Sequence, residues 1–110
     1  MLAINNRKIV VSHHAKERMR KRVLGNEKNF MNRRYLQVKG PSAKIIFALN
    51  HLLGHQYYCK GEDGYSSLFD KGYVEYVLAE TPTKITVVTV IFHGPIRGKE
   101  RIAKLKGENK

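Results

Sequence analysis

The sequence predicts an α+β fold: a short N-terminal strand and helices, followed by an antiparallel β-meander. Three observations carry the prediction. A β-branched run, "RKIVVS" (7–12), comes first, two stretches with helical spacing follow, and four β-rich runs joined by short turns fill the second half. Helices gathered ahead of strands, rather than alternating with them, belong to α+β architecture.

Each element has a local cause. In "RKIVVS", Ile9 and Val11 share one face at strand spacing. Ser12 offers its hydroxyl to an orphan N–H of a first helical turn. A helix is therefore predicted from His13 to Leu24, stopped by Gly25-Asn26. Ala15, Met19 and Val23 recur every four residues and form its apolar stripe. "NEKNFMNRRYLQV" (26–38) permits a second short helix through Phe30, Met31, Tyr35 and Leu36, weakened by its asparagines. Gly40-Pro41 breaks the chain. Pro41 or Ser42 then opens a stronger helix to Leu53, ended by Gly54 and buried through Ile45, Ile46, Leu49, Leu52 and Leu53.

Beyond Gly54 the period becomes strand-like in "HQYYCK", "YSSLF", "YVEYVLAE" and "KITVVTVIF", separated by "GEDG", "DKG" and "TPTK". Connections this short imply antiparallel neighbours. The last run is nearly continuous in Ile and Val, which reads as a central strand covered on both faces. A turn at Gly94-Pro95 and a basic stretch complete a single domain over 1–106, with a frayed tail at 107–110.

The totals narrow the function classes. The 110 residues carry 42% hydrophobic content, enough for one core. The longest apolar run, Ile85 to Phe92, is far too short to span a membrane, and "MLAINNRKIVV" lacks the long apolar segment of a secretory signal. Cys59 is the one cysteine, so no intrachain disulfide forms, and a cytoplasmic setting is expected. Net charge is +12 and segregated: residues 1–44 hold twelve Lys/Arg against Glu17 and Glu27, residues 45–96 are slightly acidic, and 97–110 are basic again. Polyphosphates favour such a surface, because each neutralised phosphate releases condensed counterions. A nucleic-acid or ribonucleoprotein partner is expected, ahead of an acidic protein or an anionic membrane.

Candidate chemistry concentrates at two places. His14, Arg18 and Arg22 recur every four residues beside the apolar stripe, where side chains are partly held. Histidine exchanges protons near neutrality and arginine presents a fixed fork to phosphate oxygens. Together they can serve a phosphodiester, bind phosphate without chemistry, or simply face water. Lys16, Arg20 and Lys21 on the same segment, with Arg33 and Arg34, are assigned to electrostatic attraction of nucleic acid. The second place is "FHGPIRGKER", where His93 ends the last strand and Arg97, Lys99 and Arg101 follow. These can face a polyanion or form a plain basic tail. Tyr57, Tyr58, Tyr65, Tyr73 and Tyr76 can stack on bases or cover a half-buried sheet. His51/His55 and His13-His14 lack metal-binding spacing with a third ligand, and paired carboxylates and a glycine-rich phosphate loop are absent. No metal or other cofactor is expected.

"SHHAKERMRKRV" resembles the helix of a bacterial and phage small-domain family with the signature H-A-x-x-R-M-x-x-R, matched here by His14, Ala15, Arg18, Met19 and Arg22. That family is similar to the RelE and BrnT toxins, whose final strand has a Val-Val-Thr-Val character like Val87 to Ile91 here. The resemblance covers Val11–Val23 and Tyr73–Phe92. It implies a RelE/BrnT-like scaffold that cleaves RNA without metal, with His14 as acid or base and Arg18 and Arg22 on the phosphate. Thr89 and His93 would lie near the same cleft, and an acidic antitoxin would be a partner. The alternative is a non-catalytic phage or bacterial protein that docks on a host nucleic-acid enzyme, a ribosome or an acidic partner.

Overall fold

The computed structural model describes residues 7–23, 39–51, 56–61, 63–70 and 74–108. In chain order the elements are β1 (Lys8–Val11), α1 (His13–Arg18) continuing as a π turn (Met19–Val23), α2 (Pro41–His51), β2 (Gln56–Lys60), β3 (Tyr65–Asp70), β4 (Val74–Glu80), β5 (Lys84–Phe92) and α3 (Gly94–Glu108). The predicted second helix at 26–38 lies outside the described residues.

The five described strands form one mixed sheet in the order β1-β5-β4-β3-β2. β2 to β5 are the expected antiparallel meander, whereas β1 pairs parallel with the first half of β5, from Lys8↔Lys84 to Val11↔Val87. The expected meander is thus observed, and the parallel pairing of β1, to which the sequence assigned no partner, makes the sheet mixed. β1 leaves the sheet after Val11, and α1 packs beside the remaining half of β5.

β5 also carries a bulge. Val77 pairs with Thr89, yet Leu78 pairs with Val87, so Val88 is an extra residue. The inward set changes parity across it: Ile85 and Val87 before, Val90 and Phe92 after, all on one core. This explains the unbroken apolar run, and it corrects the reading of a strand covered on both faces. Thr89 is half-buried and Ile91 is 39% exposed on the opposite face.

The main core lies between the sheet and α1 with α2. Ala15, Met19, Ile45, Ala48 and Leu49 pack there on Leu68, Val74, Tyr76, Leu78, Ile85, Val87 and Val90. At about 1.5–3 kcal/mol for each large side chain removed from water, this layer dominates stability. The predicted stripe and α2 face are observed at Ala15, Met19, Ile45 and Leu49, while Ile46 is half-buried.

A thinner layer covers the other face. Leu105 and Ile102 of α3 rest on Cys59, Phe69 and Tyr57. The stretch after His93, expected as a turn and basic tail, is instead this 15-residue helix, which still includes Gly107 and Glu108. Gly94 has φ +78°, a conformation that disfavours side chains, and it turns the chain from β5 into the helix.

Candidate functional site

Ser12 builds the site by joining three elements. Its N–H donates to the Val87 carbonyl (3.0 Å) and its hydroxyl donates to the carbonyl of bulge residue Val88 (2.9 Å). The same oxygen accepts from Ala15 N–H (3.0 Å), which makes Ser12 the predicted N-cap of α1. The end of β1, the bulge and the first turn of α1 are thereby tied to one side chain.

The consequence is a pocket of about 290 Å³ lined by His14, Arg18, Thr89, Val90 and Ile91. His14 and Arg18 stand one helical turn apart, and Arg18 Nε–H donates to His14 Nε2 at 3.4 Å. In this arrangement Nε2 presents its lone pair to arginine and Nδ1 carries the ring proton. The bulge aims Thr89 and Ile91 away from the main core, so α1 meets them at the sheet edge. Three of the predicted catalytic residues, His14, Arg18 and Thr89, thus share one pocket. Arg22 lies in the π turn, with its side chain outside the described ones.

His93 occupies a different environment, next to the pocket but not among its lining residues. Its Nε2 lies 2.8 Å from Glu75 Oε1, its ring stacks on Phe69 at 5.9 Å, and its side chain is 16% exposed. Glu75 is 2% exposed and also accepts from the Ser67 hydroxyl (2.7 Å), with Arg101 Nε at 3.6 Å. A buried carboxylate is tolerated because these donors replace water. Glu75 pairs directly across from Ile91, which places the cluster beside the pocket. Sequence reading missed Glu75, and its signal was a lone acid inside the apolar strand "YVEYVL".

The remaining predicted phosphate contacts divide by position. Arg20 and Lys21 are exposed on the π turn, and Lys16 is half-buried on α1. Arg97 and Lys99 are exposed on α3, whereas Arg101 is partly engaged by Glu75. Arg33, Arg34 and Tyr73 lie outside the described residues. Of the other tyrosines, Tyr76 is buried, Tyr57 lies under the Lys106 ammonium (5.3 Å), and Tyr65 is 44% exposed.

A second polar cluster, at the opposite end of the sheet, was not anticipated. Arg7 Nη2 pairs with Glu80 Oε1 at 2.8 Å, while the Tyr58 and Ser66 hydroxyls both donate to Glu80 Oε2. Burial raises the Glu80 carboxyl, but the hydrogen bonds from Ser66, Tyr58 and Arg7 outweigh it and hold the group below its ordinary value. Burial first, then the neighbouring carboxylate, pushes the Tyr58 hydroxyl up. This cluster ties Arg7, just ahead of β1, to side chains of β2, β3 and β4.

The fold and pocket define the class: an α+β domain with a five-stranded mixed sheet and a basic pocket at a bulged strand. Comparison of the chain with protein-family profiles, curated proteins and solved structures returned no match. No described helix is long and apolar enough to cross a membrane. Among the described residues, no three His, Cys, Asp or Glu side chains form a metal-binding group.

Proposed function

We propose that the protein is a cytoplasmic RNA-binding domain of RelE/BrnT-like type whose pocket cleaves RNA without a metal. The observation that carries the reading is the convergence of His14 and Arg18 from α1 with Thr89 from the bulged strand. Arg18 offers a guanidinium to a phosphate, and Thr89 offers a hydroxyl to a phosphate oxygen or a base. His14 supplies the transferable proton. The net charge of +12 supports an RNA or ribosome-bound substrate, and an acidic inhibitor such as an antitoxin would suit the same surface.

The binding-only reading has one observation in its favour. His14 is exposed, and the group that engages its ring is the cation Arg18 rather than a carboxylate. The deciding experiment incubates purified protein with structured and ribosome-bound RNA in EDTA and maps the new ends. Discrete 5′ ends paired with 2′,3′-cyclic termini support the nuclease. Intact RNA on both substrates, with binding retained, supports the binding module.

A further inference from the structure

The Glu75–His93 pair is more than a neutralised buried charge. The carboxylate accepts from the Ser67 hydroxyl on one oxygen and meets His93 Nε2 on the other, while Phe69 holds the ring from its face. With the carboxylate ionised, Nε2 must carry the ring proton, so the lone pair is left on Nδ1. A histidine locked in one tautomer by a buried carboxylate is the arrangement that proton abstraction needs.

Its position fits the pocket. Ile91 lines the pocket and pairs across the strands with Glu75. His93 follows Ile91 by two residues, on the order of 7 Å along a strand. Two histidines therefore flank the same stretch of β5, one held by a cation and one by a carboxylate.

We propose, resting on the nuclease reading above, that His93 is the general base of the site and Glu75 its positioning residue, for a phosphodiester bearing a neighbouring 2′-hydroxyl. His93 Nδ1 takes the 2′-hydroxyl proton as O2′ bonds to phosphorus. The P–O5′ bond breaks, and protonated His14 gives its proton to the leaving O5′. One proton is taken and one given, and the products are a 2′,3′-cyclic phosphate and a 5′-hydroxyl. Neutral His14 is then the form whose Nε2 accepts from Arg18, as in the observed pair.

The test is Glu75→Gln. Its amide N–H can donate to Nε2, which moves the ring proton to Nδ1 and removes the base. Cleavage of RNA in EDTA is expected to lose about 10²–10⁴ in kcat, with KM within a few-fold, by analogy with tautomer reversal in other histidine–carboxylate sites. Nitrogen-15 NMR should show His93 with its proton on Nε2 in the wild type and on Nδ1 in the variant. If Glu75→Gln fails to fold, His93→Gln keeps a donor to Glu75 while deleting the base, and the same loss of kcat is expected. Retained kcat in either folded variant, or a wild-type His93 protonated on Nδ1, overturns the proposal while leaving the nuclease reading intact. A wild type that binds RNA but never cleaves it overturns both.

Discussion

Ser12→Ala tests how the site is held together. The substitution removes the cap on α1, worth about 1 kcal/mol within a range of roughly 0.5–2. It also removes the hydroxyl donated to the Val88 carbonyl at 2.9 Å, worth about 1 kcal/mol more. The backbone bonds from Ser12 N–H to Val87 and from Lys16 N–H to Ser12 survive, since alanine supplies the same atoms. The sum is about 2 kcal/mol, or roughly 10 °C in melting temperature for a domain near this size. Urea unfolding followed by circular dichroism measures it, with an unchanged slope showing that the effect is on stability alone. Ser12→Thr keeps both bonds and should stay within about 0.5 kcal/mol of wild type. A Ser12→Ala loss below about 0.5 kcal/mol would refute the role given to this side chain.

Three other predictions follow from separate features. Deleting Val88 removes the bulge while leaving Ile85, Val87, Val90 and Phe92 on one face, so the protein should still fold. Cleavage should drop by about 10²-fold or more, because the Val88 carbonyl that accepts from Ser12 and holds α1 against Thr89 is lost, and unchanged cleavage would separate the bulge from function. Leu105→Ala weakens the thin layer over Cys59 by about 2 kcal/mol, so maleimide labelling of that thiol should quicken by roughly 30-fold. An unaltered labelling rate would mean that α3 does not guard it. Glu80 is held below its ordinary carboxyl value, so as pH falls the unfolded chain takes up that proton first and stability is lost through the folded value. Glu80→Gln should cost about 1–3 kcal/mol at pH 7 and show a shallower acid limb. Superimposable acid limbs would contradict the assignment.

The strands were legible because alternation and turn chemistry are local properties. "YSSLF" and "KITVVTVIF" fall on β3 and β5 almost residue for residue. What stayed hidden depends on distant parts of the chain. A four-residue strand such as β1 does not announce its partner, so its parallel pairing with β5 was not foreseen. The bulge disguised a one-faced strand as a two-faced one. The last helix was obscured by Gly94, Pro95 and Gly98, which oppose helix formation by propensity. Burial of Gly98 and Leu105, with Ile102 half-buried beside them along one side, overrides that cost.

The site divides in the same way. His14 and Arg18 share a helix face four residues apart, so their spacing was visible in "SHHAKERMRKR". Thr89 entered only through the resemblance, because its aim is set by Val88 and the Ser12 hydroxyl. Glu75, paired with His93 and Ser67 beneath α3, needed the tertiary fold to become visible.

The central claim is that the pocket between α1 and the bulged strand performs chemistry on RNA. It is tested most directly by measuring cleavage and binding together for His14→Ala. His14 is exposed, so the variant should fold as the wild type does. The account predicts that cleavage in EDTA disappears while RNA affinity stays within a few-fold. Cleavage at the wild-type rate by folded His14→Ala would contradict it.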